Sequence, residues 1–353
     1  MGKRPTIRDV AQKAGLSLST VSLVINDSGY VSPETREKVL QAIDELGYHP
    51  SRAARGLASK TSGNIGFILS EDHFSLAEPF YTKIFLGTEF EARNHNYYIL
   101  LTTVGSRFRE PDNVPRFLLE RNVDGVIIAG RVNEKLIAYI DRLGLPILLV
   151  DYAVPKKHYS SIQMDNRKGA HLAVEHLISL GHREIGFLGG DISHPSIAER
   201  YQAYKECMTD HNLTLDSRLI VTEESGTAVE NGSNALRTIL NRGVRPSAVF
   251  AANDAMAIGC IQEAKVHGWK IPDDISVVGF DDIDTSAHIE PPLTTIKVFK
   301  EEMGAAAVRT LVQAVKAETR SVMTVHMPVE LVVRKSTTRY SGNAAATTRA
   351  SVG

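Results

Sequence analysis

The sequence predicts an α/β protein in three parts: a three-helix unit built around a helix-turn-helix, a short hinge, and a two-lobed body with parallel sheets. Three observations carry that prediction. Residues 6–47 contain three short segments with helix-cap signals, the second following the first after a tight glycine turn. From Asn64 onward, continuous apolar runs alternate with helix-length amphipathic segments, as in parallel sheets covered on both faces. The chain, at 353 residues, is also too long for one average domain.

In the first unit, "TIRDVAQKAG" opens with Thr6 as N-cap and Asp9 three residues on, and ends at Gly15. The second helix lies in "LSLSTVSLVIND", residues 16–27, with apolar positions Leu18, Val21, Val24 and Ile25. Beside them stand the small hydroxyl residues Ser17, Ser19, Thr20 and Ser22, where a solvated helix face would ordinarily carry Lys and Glu. The third, "SPETREKVLQAIDELGY", has Ser32 as N-cap, Pro33 in the first helical position and Gly47 at its close. Residues 1–48 are therefore expected to form a helix-turn-helix unit. Residues 49–62 follow as a hinge, where alanines favour helix but Gly56 costs roughly 1 kcal/mol, so the hinge is expected to fold only on a partner.

Ten strands are expected in the body: "IGFILS", "YYILLTT", "DGVIIAG", "PILLVD", "SSIQMD", "IGFLGGD", "RLIVTE", "AVFAAND", "SVVGFDD" and "TTIKV". That number exceeds one comfortable sheet and implies two lobes. Residues 338–353 are small and polar, without leucine heptads, and are expected to be a disordered tail.

Composition narrows the function. No apolar run approaches the ~18 residues of a membrane span, and the N-terminus lacks a secretory signal, so a cytoplasmic protein is expected. Cys207 and Cys260 are too few for a disulfide framework or a four-ligand zinc site and read as buried free thiols. His171 and His176 are five apart on a helix and do not share a face, which speaks against a metal pair. No hydrolase, metalloprotease, Walker or dinucleotide motif is found, so binding is expected rather than catalysis, with no cofactor and no metal. Residues 1–60 carry nine Lys/Arg against six Asp/Glu, a small basic module on an otherwise slightly acidic chain, which fits a polyanionic partner.

In open parallel sheets ligands bind beyond the carboxyl ends of the strands. The polar residues there are Asp72, His73, Arg131, Asp151, Asp191, Asn253, Asp254, Asp281 and Asp282, with Phe80, Tyr81 and Phe250 as nearby flat faces. Each acidic residue could also simply cap the next helix. Together they suit a neutral polyhydroxylated ligand, whose hydroxyls are fixed by carboxylates and amides while an aromatic ring covers its C–H face.

From "TIRDVAQKAG" through "RAARGL", and again in "NDAMAIGCIQEAKVHGWKIPDDISVVGFDDI" and "PPLTTIK", the sequence resembles the lactose and galactose repressor family of bacterial transcription regulators. The resemblance implies a homodimer bound to pseudo-palindromic operator DNA, on the bacterial nucleoid when bound. It implies a two-lobed, periplasmic-binding-protein-like core over residues 63–337, with the N-lobe at about 63–161 and 292–321 and the C-lobe at about 162–291 and 322–337. It implies that residues 1–48 are a DNA-binding headpiece, with Thr6, Ser17, Leu18, Ser19, Thr20, Ser22, Leu23, Asn26, Tyr30, Val31 and Ser32 in contact with DNA. In the hinge it implies Arg52, Ala54, Arg55 and a minor-groove wedge at Leu57. Short hydroxyl side chains let a recognition helix approach phosphates closely. Leu23 stands where many members have Arg or His, so it offers a base only apolar contact. For the effector it implies Phe80, Tyr81, Asp151, Arg200, Phe250, Asn253 and Asp281, with His194 and Ser196 in a ligand-dependent loop. A small sugar is the expected effector. A purine or nucleoside is the alternative, and a solute-binding protein of the same core fold is a more distant one.

Overall fold

The computed structural model describes residues 5–26, 29–48, 61–71, 80–154, 159–317 and 321–342. The first unit is three helices, α1 (Ile7–Ala14), α2 (Leu18–Ile25) and α3 (Pro33–Leu46). Their ends follow from local chemistry. The backbone N–H and hydroxyl of Thr6 donate to Asp9 Oδ2 at 2.6 and 2.7 Å, and Gly15 closes α1 at φ 66°, a left-handed conformation that glycine adopts without strain. Ser17 Oγ accepts from the Thr20 N–H at 3.1 Å, and Ser32 Oγ from that of Thr35 at 3.3 Å. Val10, Val21, Val24, Val39, Ala42 and Tyr48 form the small core that holds the three helices together.

The body begins with β1 (Asn64–Ser70), α4 (Phe80–Asn94), β2 (Tyr98–Val104), α5 (Arg116–Leu119), β3 (Gly125–Ala129), α6 (Glu134–Arg142), β4 (Ile147–Val150) and β5 (Ser160–Met164). It continues with α7 (Asn166–Ser179), β6 (Ile185–Leu188), α8 (Pro195–Asp210), β7 (Ile220–Val221), α9 (Val229–Asn241), β8 (Ala248–Ala251), α10 (Asp254–Val266), β9 (Ser276–Asp281) and β10 (Thr294–Val298). It ends with α11 (Lys300–Lys316), β11 (Thr324–Met327) and β12 (Val329–Val332). One sheet has the order β11-β5-β4-β3-β1-β2 and the other β12-β10-β9-β8-β6-β7. Each places its second strand outside its first and then runs 3-4-5 the other way, with one late strand added at the far edge. The strand order therefore reverses once in each lobe, between β1 and β3 and between β6 and β8, and such reversals open ligand crevices.

All ten expected strands form. β11 and β12 are additional: β11 pairs parallel with β5, and β12 antiparallel with β10. The lobe boundaries differ from those expected. β5 runs to Met164 in the first sheet, so that lobe does not end at 161. β10 pairs with β9, Thr294 opposite Val278, so residues 294–298 belong to the second lobe rather than the first. β11 belongs to the first lobe, because its ladder is with β5. The chain thus crosses between lobes three times, after Met164, after Val298 and after Met327. α11 packs on α4, β3, β4 and β5 of the first lobe. The expected tail also starts too early: the Tyr340 N–H donates to Leu180 O at 2.9 Å, and that of Thr338 to Ser276 Oγ at 3.0 Å. Residues 343–353 lie outside the described residues. Cys207 and Cys260 are both free and buried. Among the described residues no helix is long and apolar enough to cross a membrane.

Candidate functional site

Two regions collect the expected residues. In the headpiece, α2 buries Val21 and Val24, while Leu18 and Leu23 are 45% and 38% exposed on its other side. The stripe inferred from the sequence is therefore narrower than expected, since Leu18 faces outward. The hydroxyls form a local cluster, with Ser17 Oγ 2.7 Å from Ser19 Oγ and 2.9 Å from Thr20 Oγ1. Ser22 Oγ accepts from Asn26 Nδ2 at 3.1 Å. Tyr30 is 92% exposed beyond the helix, whereas Val31 packs against the headpiece core. The outward surface of α2 is short, uncharged and rich in hydroxyls, so a phosphate backbone can come close to it. Arg52, Ala54, Arg55 and Leu57 lie outside the described residues, as do Asp72 and His73.

The second region is a cleft of about 820 Å³ between the lobes, at the carboxyl ends of both sets of strands. Phe80, Tyr81, Arg131, Asp151, His194, Ser196, Arg200, Asn253 and Asp281 all line it. Phe250 does not. It lies mid-strand in β8, wholly buried, its ring 5.6 Å from Phe187 in the core, because alternate strand residues face opposite sides. Sequence reasoning missed Asn133, Glu134, Tyr152, Thr227 and Asn231, which also line the cleft. Asn133 and Glu134 sit two and three positions past Arg131, and a wider window after each strand would have found them.

Asp151, at the end of β4, is held from both lobes: Tyr81 Oη donates to its Oδ2 at 2.8 Å and Ser196 Oγ to its Oδ1 at 2.6 Å. Burial and the neighbouring Asp151 push the Tyr81 phenol well up, so it serves as a donor at any ordinary pH. Arg200 is locked beneath the cleft. Its Nε donates to Asn166 Oδ1 at 2.9 Å, its Nη1 to Ala252 O at 2.5 Å, and its guanidinium lies 3.6 Å from the Phe280 ring centre. Asn253 caps α10 by accepting from the Met256 N–H at 2.8 Å, and its Nδ2 donates to Thr227 O at 3.0 Å. Arg131 reaches across from the first lobe to Ser193 Oγ at 2.9 Å.

Asp281 is the least satisfied of these groups. Its Oδ1 and His194 Nδ1 are buried without a hydrogen-bond partner among the described residues, and Arg200 Nη2 comes only to 3.7 Å from that oxygen. Burial pushes the Asp281 carboxyl up to about 8, with Arg200 opposing. The backbone is unusual here too, with Asp281 at φ 109° and Asp282 at φ 51°. Lys300 Nζ, buried at the start of α11, stabilises this turn by donating to the carbonyls of Asp281 and Asp282. Behind the cleft, Asp254 accepts from the Ile283 N–H, Ser286 Oγ and Thr295 Oγ1, while burial raises its carboxyl to about 6.

A hydroxyl-faced helix-turn-helix attached to a two-lobed ligand cleft defines a ligand-controlled DNA-binding regulator. Residues 6–51 match the family model for bacterial regulatory proteins of the lacI family, and residues 174–337 that for a periplasmic binding protein-like domain. The chain is 34% identical over 335 residues to the HTH-type transcriptional repressor PurR of Pasteurella multocida, covering 94% of this chain and 98% of that one. The Lac repressor dimer bound to operator and the anti-inducer ONPF superimposes with a TM-score of 0.80 at 32% identity, covering 95% of this chain and 100% of that one. A complex of the transcriptional regulator CelR with cellobiose gives 0.72 at 32% identity, covering 94% and 100%. The chain belongs to the lacI family of bacterial regulatory proteins.

Proposed function

We propose that this protein is a homodimeric, sequence-specific repressor of genes for carbohydrate uptake or breakdown, acting in the cytoplasm and switched by a small sugar in the inter-lobe cleft. The observation that carries the sugar assignment is the pair of unsatisfied buried atoms, Asp281 Oδ1 and His194 Nδ1, in a cleft that also offers Asp151, Asn253 and Arg131. A hydroxyl both donates and accepts, so an array of hydroxyls can satisfy such a mixed lining, and Phe80 can cover an apolar sugar face. The cellobiose complex of CelR, a relative of the same architecture, supports this reading. The likeness to PurR keeps a purine effector as the second reading.

The cleft is read as a binding site and not a catalytic one, with the ligand leaving unchanged. α2 would enter the major groove, and the hinge would place Leu57 of each subunit in the minor groove. The ligand acts only through its different affinity for the DNA-bound and free arrangements of the lobes.

Melting the protein against panels of mono- and disaccharides and of purine bases tests the assignment, since a ligand at 100 times its Kd adds about 2.7 kcal/mol. A sugar is expected to shift the melting temperature; a shift with nucleobases alone would overturn the sugar reading. Arg200→Met keeps most of the buried volume, so the variant should still bind operator but no longer respond to ligand in a gel-shift titration. Leu57→Ala should bring operator affinity close to that for random DNA, and an unchanged affinity rules out the wedge.

A further inference from the structure

Outside the cleft, one cluster among the described residues carries metal-binding chemistry. His171 and Glu175 lie four residues apart on α7 and so share a face, and Cys207 comes up against them from α8. The possible ligand atoms of these three side chains all lie within 4.8 Å of one another. His171 does not share a helix face with His176, five positions on. Its partners are instead Glu175, one turn away, and a cysteine 36 positions later in the chain.

We infer that His171, Glu175 and Cys207 form a zinc-class metal site that joins α7 to α8 on the second lobe. The donor set of one imidazole, one carboxylate and one sulfur suits a borderline-soft cation such as Zn²⁺ and disfavours Mg²⁺ or Ca²⁺, which take oxygen ligands. The levels of burial fit a site that opens outward. Cys207 is buried and supplies the floor, His171 is half-buried, and Glu175 is exposed at the rim. Glu206 stands at the edge, its Oε2 4.0 Å from His171 Nε2, but it is already paired with Arg167, so water completes the coordination. The thiolate, not the thiol, is the metal ligand, so binding a cation releases the Cys207 proton to solvent.

The position gives the site a structural consequence. α7 starts at Asn166, whose side chain holds Arg200 and Glu199, and α8 carries Ser196 and Arg200 into the cleft. A metal joining the two helices fixes the second-lobe wall of the cleft from its far side.

The test uses the full chain and Co²⁺ as a spectroscopic stand-in for Zn²⁺. Titration should give near-ultraviolet thiolate-to-cobalt charge-transfer absorption, displaced by one equivalent of zinc. Cys207→Ser should abolish that band, whereas Cys260→Ala, which alters a thiol buried elsewhere, should keep it. His171→Ala and Glu175→Gln, at partly or fully exposed positions, should each weaken zinc binding more than tenfold in competition with a chromophoric chelator. Absence of the charge-transfer band in the wild-type protein overturns the proposal. Zinc affinity unaltered by His171→Ala and Glu175→Gln overturns it equally.

Discussion

Asp281 concentrates three unfavourable features: a buried carboxyl, an oxygen without a hydrogen-bond donor, and a left-handed backbone at a residue that is not glycine. Such features persist only where the surroundings fix them, here through Lys300 on the carbonyl side and Arg200 on the carboxyl side. A prediction follows from the sign of the shift. The carboxyl moves from 3.8 up to about 8 on folding, so between those values the folded protein keeps a proton that the unfolded chain has released. Its stabilising contribution is full below the unfolded value and is lost as the pH rises through the folded one. Asp281→Asn removes this titration. In ligand-free protein the melting temperature of the variant relative to wild type should therefore climb from pH 4 to about 8 and then level off. A difference that stays constant with pH would mean the carboxyl is not held protonated.

At the scale of elements, helix pairs meet at glycine contacts too close for a side chain. A Cβ on Gly87 of α4 would lie 1.9 Å from Glu301 O on α11, and one on Gly304 of α11 would lie 2.0 Å from Ile84 O on α4. The obstructing atoms are backbone carbonyls, which cannot swing aside. Gly87→Ala should therefore force α4 and α11 apart and cost about 1 to 3 kcal/mol or more, read as a lower melting temperature in a thermal scan. No local pattern marks either glycine as a contact point, because the partner is over 200 positions away in the chain. The same limit explains which elements the sequence revealed. β3, β4 and β8 are apolar and buried throughout and could be read directly, whereas β11 buries only Met327 and is a strand only through its ladder with β5. Likewise "TTIKV" is buried whichever sheet it joins, so its membership of the second lobe could not be read locally. Cleft residues at strand ends were legible because topology places ligands there. Asn231 was not, since it stands in the first turn of α9, well past the end of β7, while Tyr152, two positions past β4, fell outside the narrow window read after each strand.

Across the whole molecule, α4 runs from the cleft to an exposed apolar face. Its first turn puts Phe80 and Tyr81 into the cleft, Lys83 reaches Asp284 of the second lobe at 2.5 Å, and further along the helix Leu86 and Phe90 are exposed. Leu86 and Phe90 are four residues apart and share a face, and α4 packs on β2, an edge strand that exposes Tyr98. Large apolar side chains in such a group mark a surface that is covered in the working assembly. If two copies meet there, closing the cleft shifts α4 through Tyr81 and Lys83, and the same helix moves the dimer contact that sets the distance between the two headpieces. Phe90→Glu places a charge on that face without touching the cleft. The variant should sediment as a monomer at concentrations where the wild type is a dimer, and bind ligand with unchanged affinity. It should also bind operator far more weakly, because each headpiece then reads a single half-site. A variant that stays dimeric with full operator affinity would show that the subunits meet elsewhere and that α4 does not carry the signal.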